Sequence, residues 1–263
     1  MSIFTDNEQL LKEWEIASIN NNEQDEFVHD GILYRGNVIY NSSTGGWAHE
    51  RGNEEELWEH SPKRILFITK DLNDEGAWDI RAETGRKNYT GEGNVLINTN
   101  GNFCGNYLYF VYGLGNITAE HFVDYESFSD EEAIQYFDKC TLDRINVKKQ
   151  LGKSSIEDKV LVEYINKYSD FLKRQVLLLD ADIIVCCGST EKTGNRILNF
   201  IKGNCYNLEK VNDWIYYNNS LNKVVIDSYH LSARFPKKSF YNDLMKAYYD
   251  FLQNHAQFLN IKR

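Results

Sequence analysis

Four consecutive apolar residues, Ile65 to Ile68, are followed at once by the polar residues Thr69, Lys70, Asp71 and, past Leu72, Asn73. A short apolar run rich in Ile and Phe predicts a strand buried on both faces, in the middle of a parallel sheet. Further strands are expected at 145–147, 182–187 and 224–226. Between them the apolar spacing turns helical. Helices are expected over 5–19, 107–117, 129–140, 156–179, 191–202 and 239–255, with Ser129 and Glu132 forming a capping box. The 156–179 stretch carries apolar residues at 160, 161, 164, 165, 168, 171, 172 and 176, which predicts one long helix. A hairpin around Asn218 and Asn219 would pair 214–217 with 223–227. Alternating strands and helices define an α/β chain. The expected architecture is three α/β/α layers around a central four-stranded, mostly parallel sheet.

The remaining stretches are less regular. Phe27 to Tyr40 holds short strand-like pieces around Asp30 and Gly31, and 41–62 is rich in Gly, Ser and Glu. Residues 75–105 form a long Gly-punctuated segment, of a length that in compact domains is functional or mobile. The chain therefore reads as one domain over 1–263, with 1–60 an N-terminal extension packed on it.

Open parallel sheets bind ligands beyond the carboxyl ends of their strands. Four strand ends here deliver polar groups to that rim: Asp71 with Lys70 and Asn73, Asn146 with Lys148 and Lys149, Ser189, and His230 with Ser232. A carboxylate can orient water or face a cation, an amide can read a donor–acceptor edge, and an imidazole can stabilise developing negative charge. Taken singly, Asp71 also suits a turn cap, Asn146 a strand-end turn and His230 a structural role. Their shared place at strand ends is what points to a site.

Charge changes the picture locally. The chain carries a net charge of −10. Residues 1–80 hold 17 acidic and 6 basic side chains, whereas 81–263 hold 22 and 23, so the excess acid lies in the N-terminal part. The five cysteines, at 104, 140, 186, 187 and 205, have neither CxxC nor metal-ligand spacing. Cys186 and Cys187 sit in an apolar run and read as small buried hydrophobes. No basic leader followed by an apolar run opens the sequence and no stretch has the roughly 18 apolar residues of a membrane span, so a cytoplasmic protein is expected. The segment Gly188 to Asn195 follows a strand as a phosphate loop would, but its second glycine, Gly194, comes one residue late and no Lys-Ser/Thr pair follows it, which argues against a Walker loop. GxGxxG, HExxH and GxSxG are absent.

Three segments resemble the motifs of the uracil-DNA glycosylase superfamily, and within it an uncharacterised bacterial glycosylase-like subgroup. Ile65 to Asn73 resembles the first motif, an apolar strand ending in Gly-Gln-Asp-Pro-Tyr, with Asp71 on the water-orienting carboxylate. Arg144, Ile145, Asn146 and Val147 resemble the second strand, whose Asn reads the uracil edge. Val224 to Ser232 resembles the last motif, His-Pro-Ser, with His230 on the residue that hydrogen-bonds the departing base. Ile183 to Gly188 is similar to the strand between them, and Phe27 to Ile32 and Trp78 to Arg81 are similar to the subgroup.

The resemblance implies a strand order of 2-1-3-4 and cleavage of the N-glycosidic bond of a flipped uracil or damaged base in DNA. It implies Asp71 and His230 as catalytic residues, and Asn146, Phe103, Lys70, Asn73, Ser189 and Ser232 around the base. Phe103 is the stacking candidate, and a core Phe is the other reading. Arg144, Lys148, Lys149, Lys153, Arg234, Lys237 and Lys238 would hold phosphates, or form a solvated face. No cofactor or metal is implied. Thr69 and Lys70 replace Gly-Gln, Leu72 and Asn73 replace Pro-Tyr, and Leu231 replaces the Pro of the last motif. These departures keep open a module of the same fold that binds a nucleobase or nucleic acid without cleaving it.

Overall fold

A computed structural model describes residues 2–23, 25–42, 46–73, 76, 78–83, 86–89, 95–97, 100–152 and 156–259. Its centre is a seven-stranded sheet made of β1 (Gly31–Ile32), β2 (Ile65–Thr69), β3 (Asp143–Asn146), β4 (Ile183–Ser189), β5 (Glu209–Lys210), β6 (Ile215–Asn218) and β7 (Lys223–Tyr229). The order across the sheet is β1-β3-β2-β4-β7-β6-β5. The four middle strands, β3, β2, β4 and β7, are parallel, and β1, β6 and β5 add antiparallel edges. Taken in chain order, the parallel strands lie 2-1-3-4. The expected four-stranded sheet is thus corrected to seven strands. The added edge strands β1 and β5 have two residues each, too few to register as a period-2 pattern.

The helices are α1 (Ile3–Asn20), α2 (Glu54–Glu59), α3 (Ile80–Glu83), α4 (Asn102–Asn116), α5 (Asp130–Lys139), α6 (Asp158–Lys167), α7 (Ser169–Leu179), α8 (Arg196–Asn204) and α9 (Lys237–Asn254). The expected helix over 156–179 is two helices that meet at Tyr168, whose φ of −117° and ψ of 23° leave the helical region. The apolar stripe runs through the break because both halves bury the same side. Ser129 and Glu132 close the capping box on α5.

Side chains alternate across each central strand, so every strand feeds two cores. Ile65, Phe67, Ile183, Val185, Val224 and Ile226 pack beneath α4, α5 and α9. Leu66, Ile68, Ile184, Cys186 and Val225 face a second core with α6, α7 and α8. Trp14 of α1 and Trp58 of α2 are fully buried in that second core. The N-terminal segment therefore contributes core side chains and an edge strand, beyond covering the domain. Among the described residues no helix is long and apolar enough to cross a membrane.

Parallel pairing does not stop at the rim. Past β2 and β3, Val147 N–H donates to Thr69 O at 2.9 Å and Lys148 N–H to Lys70 O at 2.8 Å. Leu72 and Asn73 then pair in parallel with Leu151 and Gly152. Asp71 is thereby held between two stretches of paired backbone.

Candidate active site

Asp71 follows the central strand β2 and is half-buried. Its carboxylate makes no hydrogen bond among the described residues. It lies so close to Gly152 that a Cβ there would run into it. Burial pushes the carboxyl up from the ordinary range, while the charges of Lys148 and Lys70 pull it down. The result is a carboxylate with proton affinity above that of an exposed Asp.

Asn146 closes β3 directly beside Thr69 in the parallel register. It is fully buried, and its main-chain N–H donates to Asp30 Oδ2 at 2.7 Å. The Thr69 hydroxyl donates to Asn146 Oδ1. The Thr69 hydroxyl also lies 3.4 Å from the Ile145 carbonyl as a second acceptor, and Thr69 Oγ1 accepts from Arg144 Nε at 3.5 Å. Asn146 Nδ2 is then a buried donor with no partner. An unmet buried donor costs about 1–3 kcal/mol, and such groups in folded proteins call for a functional or solvent partner.

Arg144 points to the same sheet face as Asn146, two residues along the strand. Only 4% of its surface is exposed. Its guanidinium carbon lies 4.7 Å from the centre of the Phe103 ring. Among the described residues no carboxylate pairs with it. Burial lowers its proton affinity, with Tyr107 the largest opposing influence. Phe103, in the first turn of α4, also lies 5.8 Å from the His230 ring and 6.3 Å from Tyr107. Tyr107 is buried and its hydroxyl has no partner.

His230 follows β7. Ser232 N–H donates to its Nδ1 at 3.3 Å and Ser232 Oγ lies 2.6 Å from the same nitrogen. A main-chain N–H can only donate, so Nδ1 carries the lone pair and Nε2 the hydrogen. Burial, aided by the charges of Lys70 and Arg144, pushes His230 down to about 4. It is therefore a neutral imidazole that offers a donor at physiological pH. Asn106 of α4 donates to Leu231 O at 2.7 Å, which ties the His230 loop to the helix that carries Phe103. Lys70, Ser189, Thr190, Tyr229 and His230 line a cavity of about 560 Å³ between the ends of β4 and β7.

Asp71, Asn146 and His230 thus stand at one rim. No hydrogen bond joins the three among the described residues. They are linked instead through Thr69, Arg144 and Phe103, and through Lys70, whose charge bears on both Asp71 and His230. Asn73 has its backbone in the short ladder beyond the rim.

The expected basic face needs correction. Lys149 is fully buried, with Nζ 2.7 and 2.6 Å from the two Asp30 oxygens and 2.8 Å from Gln175 Oε1. It lies 4.7 Å from the centre of the Trp14 ring. A cation so enclosed cannot meet a phosphate. Arg144 is likewise inside the cleft and not on a surface track. Lys148 folds back to donate to the carbonyls of Gln150 and Leu151. Lys238 pairs with Glu126 at 2.7 Å on the surface. Lys237 is half-buried at the start of α9, and Arg234 is exposed. Lys153 lies outside the described residues.

Sequence reasoning missed Thr69 as the residue whose hydroxyl donates to the Asn146 amide, and Tyr107 as a buried donor. Register was the available signal for Thr69, because it ends the strand next to the one that Asn146 ends. The Asp30–Lys149–Gln175 network had no local signal. Among the described residues no cluster of His, Cys, Asp or Glu is placed to hold a metal. Cys186 and Cys187 are buried, and burial pushes both thiols up, which leaves them unreactive. Comparison with protein-family models, with curated proteins and with solved structures finds no match.

Proposed function

We propose that this protein is an N-glycosyl hydrolase that removes a flipped base from DNA, with a site of the uracil-DNA glycosylase kind. The observation that carries the reading is the unspent chemistry at one rim: an Asp71 carboxylate with no hydrogen bond among the described residues, an Asn146 Nδ2 donor without a partner and a neutral His230 with its hydrogen on Nε2. The order 2-1-3-4 of the parallel strands supports it.

In this reading the bond between C1′ and the base nitrogen breaks and its electron pair leaves with the base. The sugar gains oxocarbenium-like charge, which the Asp71 carboxylate faces. Water adds to C1′ and gives up a proton, for which Asp71, with its raised affinity, is the acceptor. His230 Nε2–H donates to the oxygen on which the departing base gathers charge. Asn146 Nδ2 finds in the base the acceptor it lacks in the protein.

The test is formation of abasic sites on single- and double-stranded oligonucleotides that carry uracil or damaged bases. Turnover that disappears in Asp71→Asn supports the hydrolase.

A second reading has its own support. The guanidinium of Arg144 lies over Phe103, the expected stacking surface, and Lys148 and Lys149 are engaged within the protein. Both features suit a module that binds a base without cleaving it. Affinity for a base or nucleotide without release from any strand would favour this reading.

A further inference from the structure

The donors left over at the rim share one property. Arg144 uses only Nε, toward Thr69, so its two terminal nitrogens have no hydrogen-bond partner among the described residues. Asn146 Nδ2 and the Tyr107 hydroxyl are buried without partners, and His230 presents Nε2–H. Asn146 Oδ1 accepts from the Thr69 hydroxyl and, as an amide oxygen, keeps one further lone pair. Around the guanidinium of Arg144 the site is therefore rich in donors.

Resting on the base-binding reading above, we propose that the base recognised here is a 6-oxopurine, whose O6 and N7 face the fork of Arg144. An arginine fork matches two adjacent acceptors in one plane, and among base edges O6 and N7 of an oxopurine supply them. Adenine puts an amino donor in place of O6 and would face donor to donor. Uracil offers O4 alone on the corresponding edge. Partnering also explains how a guanidinium that is 4% exposed and lacks a carboxylate is tolerated: the ligand completes it.

The experiment uses the full chain and labelled single-stranded oligonucleotides with one hypoxanthine, 7-deazahypoxanthine, adenine or uracil. Binding is read by anisotropy, and release of the base by abasic-site cleavage on the same strands. Hypoxanthine should bind best. Replacing N7 by C–H, or hypoxanthine by adenine, should weaken binding roughly 5- to 150-fold, the span of one bidentate contact. Arg144→Lys keeps the charge but loses the fork, and should erase the difference between hypoxanthine and its 7-deaza analogue. If Arg144→Lys fails to fold, the 7-deaza comparison on the unaltered protein decides by itself.

Release of uracil without preference for hypoxanthine overturns the oxopurine assignment and leaves the hydrolase reading standing. An N7-dependent preference for hypoxanthine without release from any strand does the reverse. Failure to bind or to release any of the four overturns both.

Discussion

The main-chain N–H of Asn146 is bonded to the carboxylate of Asp30, at 2.7 Å. That carboxylate also holds Lys149 Nζ and accepts from Gln175 Nε2 at 2.9 Å. Asn7 of α1 donates to the Asp30 carbonyl at 3.1 Å. Gly31, next in the chain, has a φ of +138°, and a Cβ there would press on the Asn7 amide. The acidic N-terminal part therefore fixes the strand end that presents the Asn146 amide.

Lys149→Met should destabilise the protein by roughly 3–5 kcal/mol, because it leaves the Asp30 carboxylate buried without its cation. Lys149→Met combined with Asp30→Asn should recover part of that loss, since no charge is then stranded. Urea unfolding of the two variants checks both statements. A Lys149→Met protein as stable as the parent would show that the pair is not what holds this corner.

Asp71→Asn should keep the fold and slow base release by about 10²–10³, the usual cost of one preorganised electrostatic group. The amide preserves shape but removes the negative charge facing the sugar. Single-turnover release, with thermal unfolding as the control, measures it. Equal rates would take Asp71 out of the mechanism.

Gly152→Ala should act as a displaced Asp71. The new methyl would occupy the space of the carboxylate, which must swing away. We expect a loss of turnover close to that of Asp71→Asn, with a much smaller change in stability because Gly152 is outside both main cores. A variant with full activity would show that the position of the carboxylate is not critical.

The rate should show no inflection near pH 6.5. His230 is held at about 4, below the 6.5 of a solvated imidazole, so it stays neutral through the physiological range. Its depressed value also links to stability. The contribution is complete above 6.5 and is lost as pH falls through about 4, because the unfolded chain binds the proton first. Asp71, raised from its ordinary 3.8, adds to the same acid limb of the rate. A kcat/KM profile that halves at 6.5 would contradict the neutral donor.

The central strands β2, β4 and β7 are legible in the sequence because each carries an apolar run cut off by polar residues, whereas β3, Asp-Arg-Ile-Asn, has no such run. Tyr168 shows the limit of periodicity: a break that keeps the apolar face aligned leaves no mark on spacing. Lys149 shows a second limit. A lysine beside Lys148 at a strand end reads as surface, and its burial depends on Asp30, 119 residues away in the chain. The candidate site was legible as residue types at strand ends. Which of their atoms are already engaged was not, since the Thr69 bond to Asn146 exists only across neighbouring strands.

The two-residue ladder that joins Leu72 and Asn73 to Leu151 and Gly152 has a thermodynamic consequence. Confining a loop carboxylate to one orientation costs conformational entropy, of order 1–2 kcal/mol for the backbone of a single residue. With paired backbone on both sides of Asp71, that cost is met once, when the chain folds. A substrate then encounters a carboxylate whose freedom is already spent, and its binding energy is left for the bond that must break.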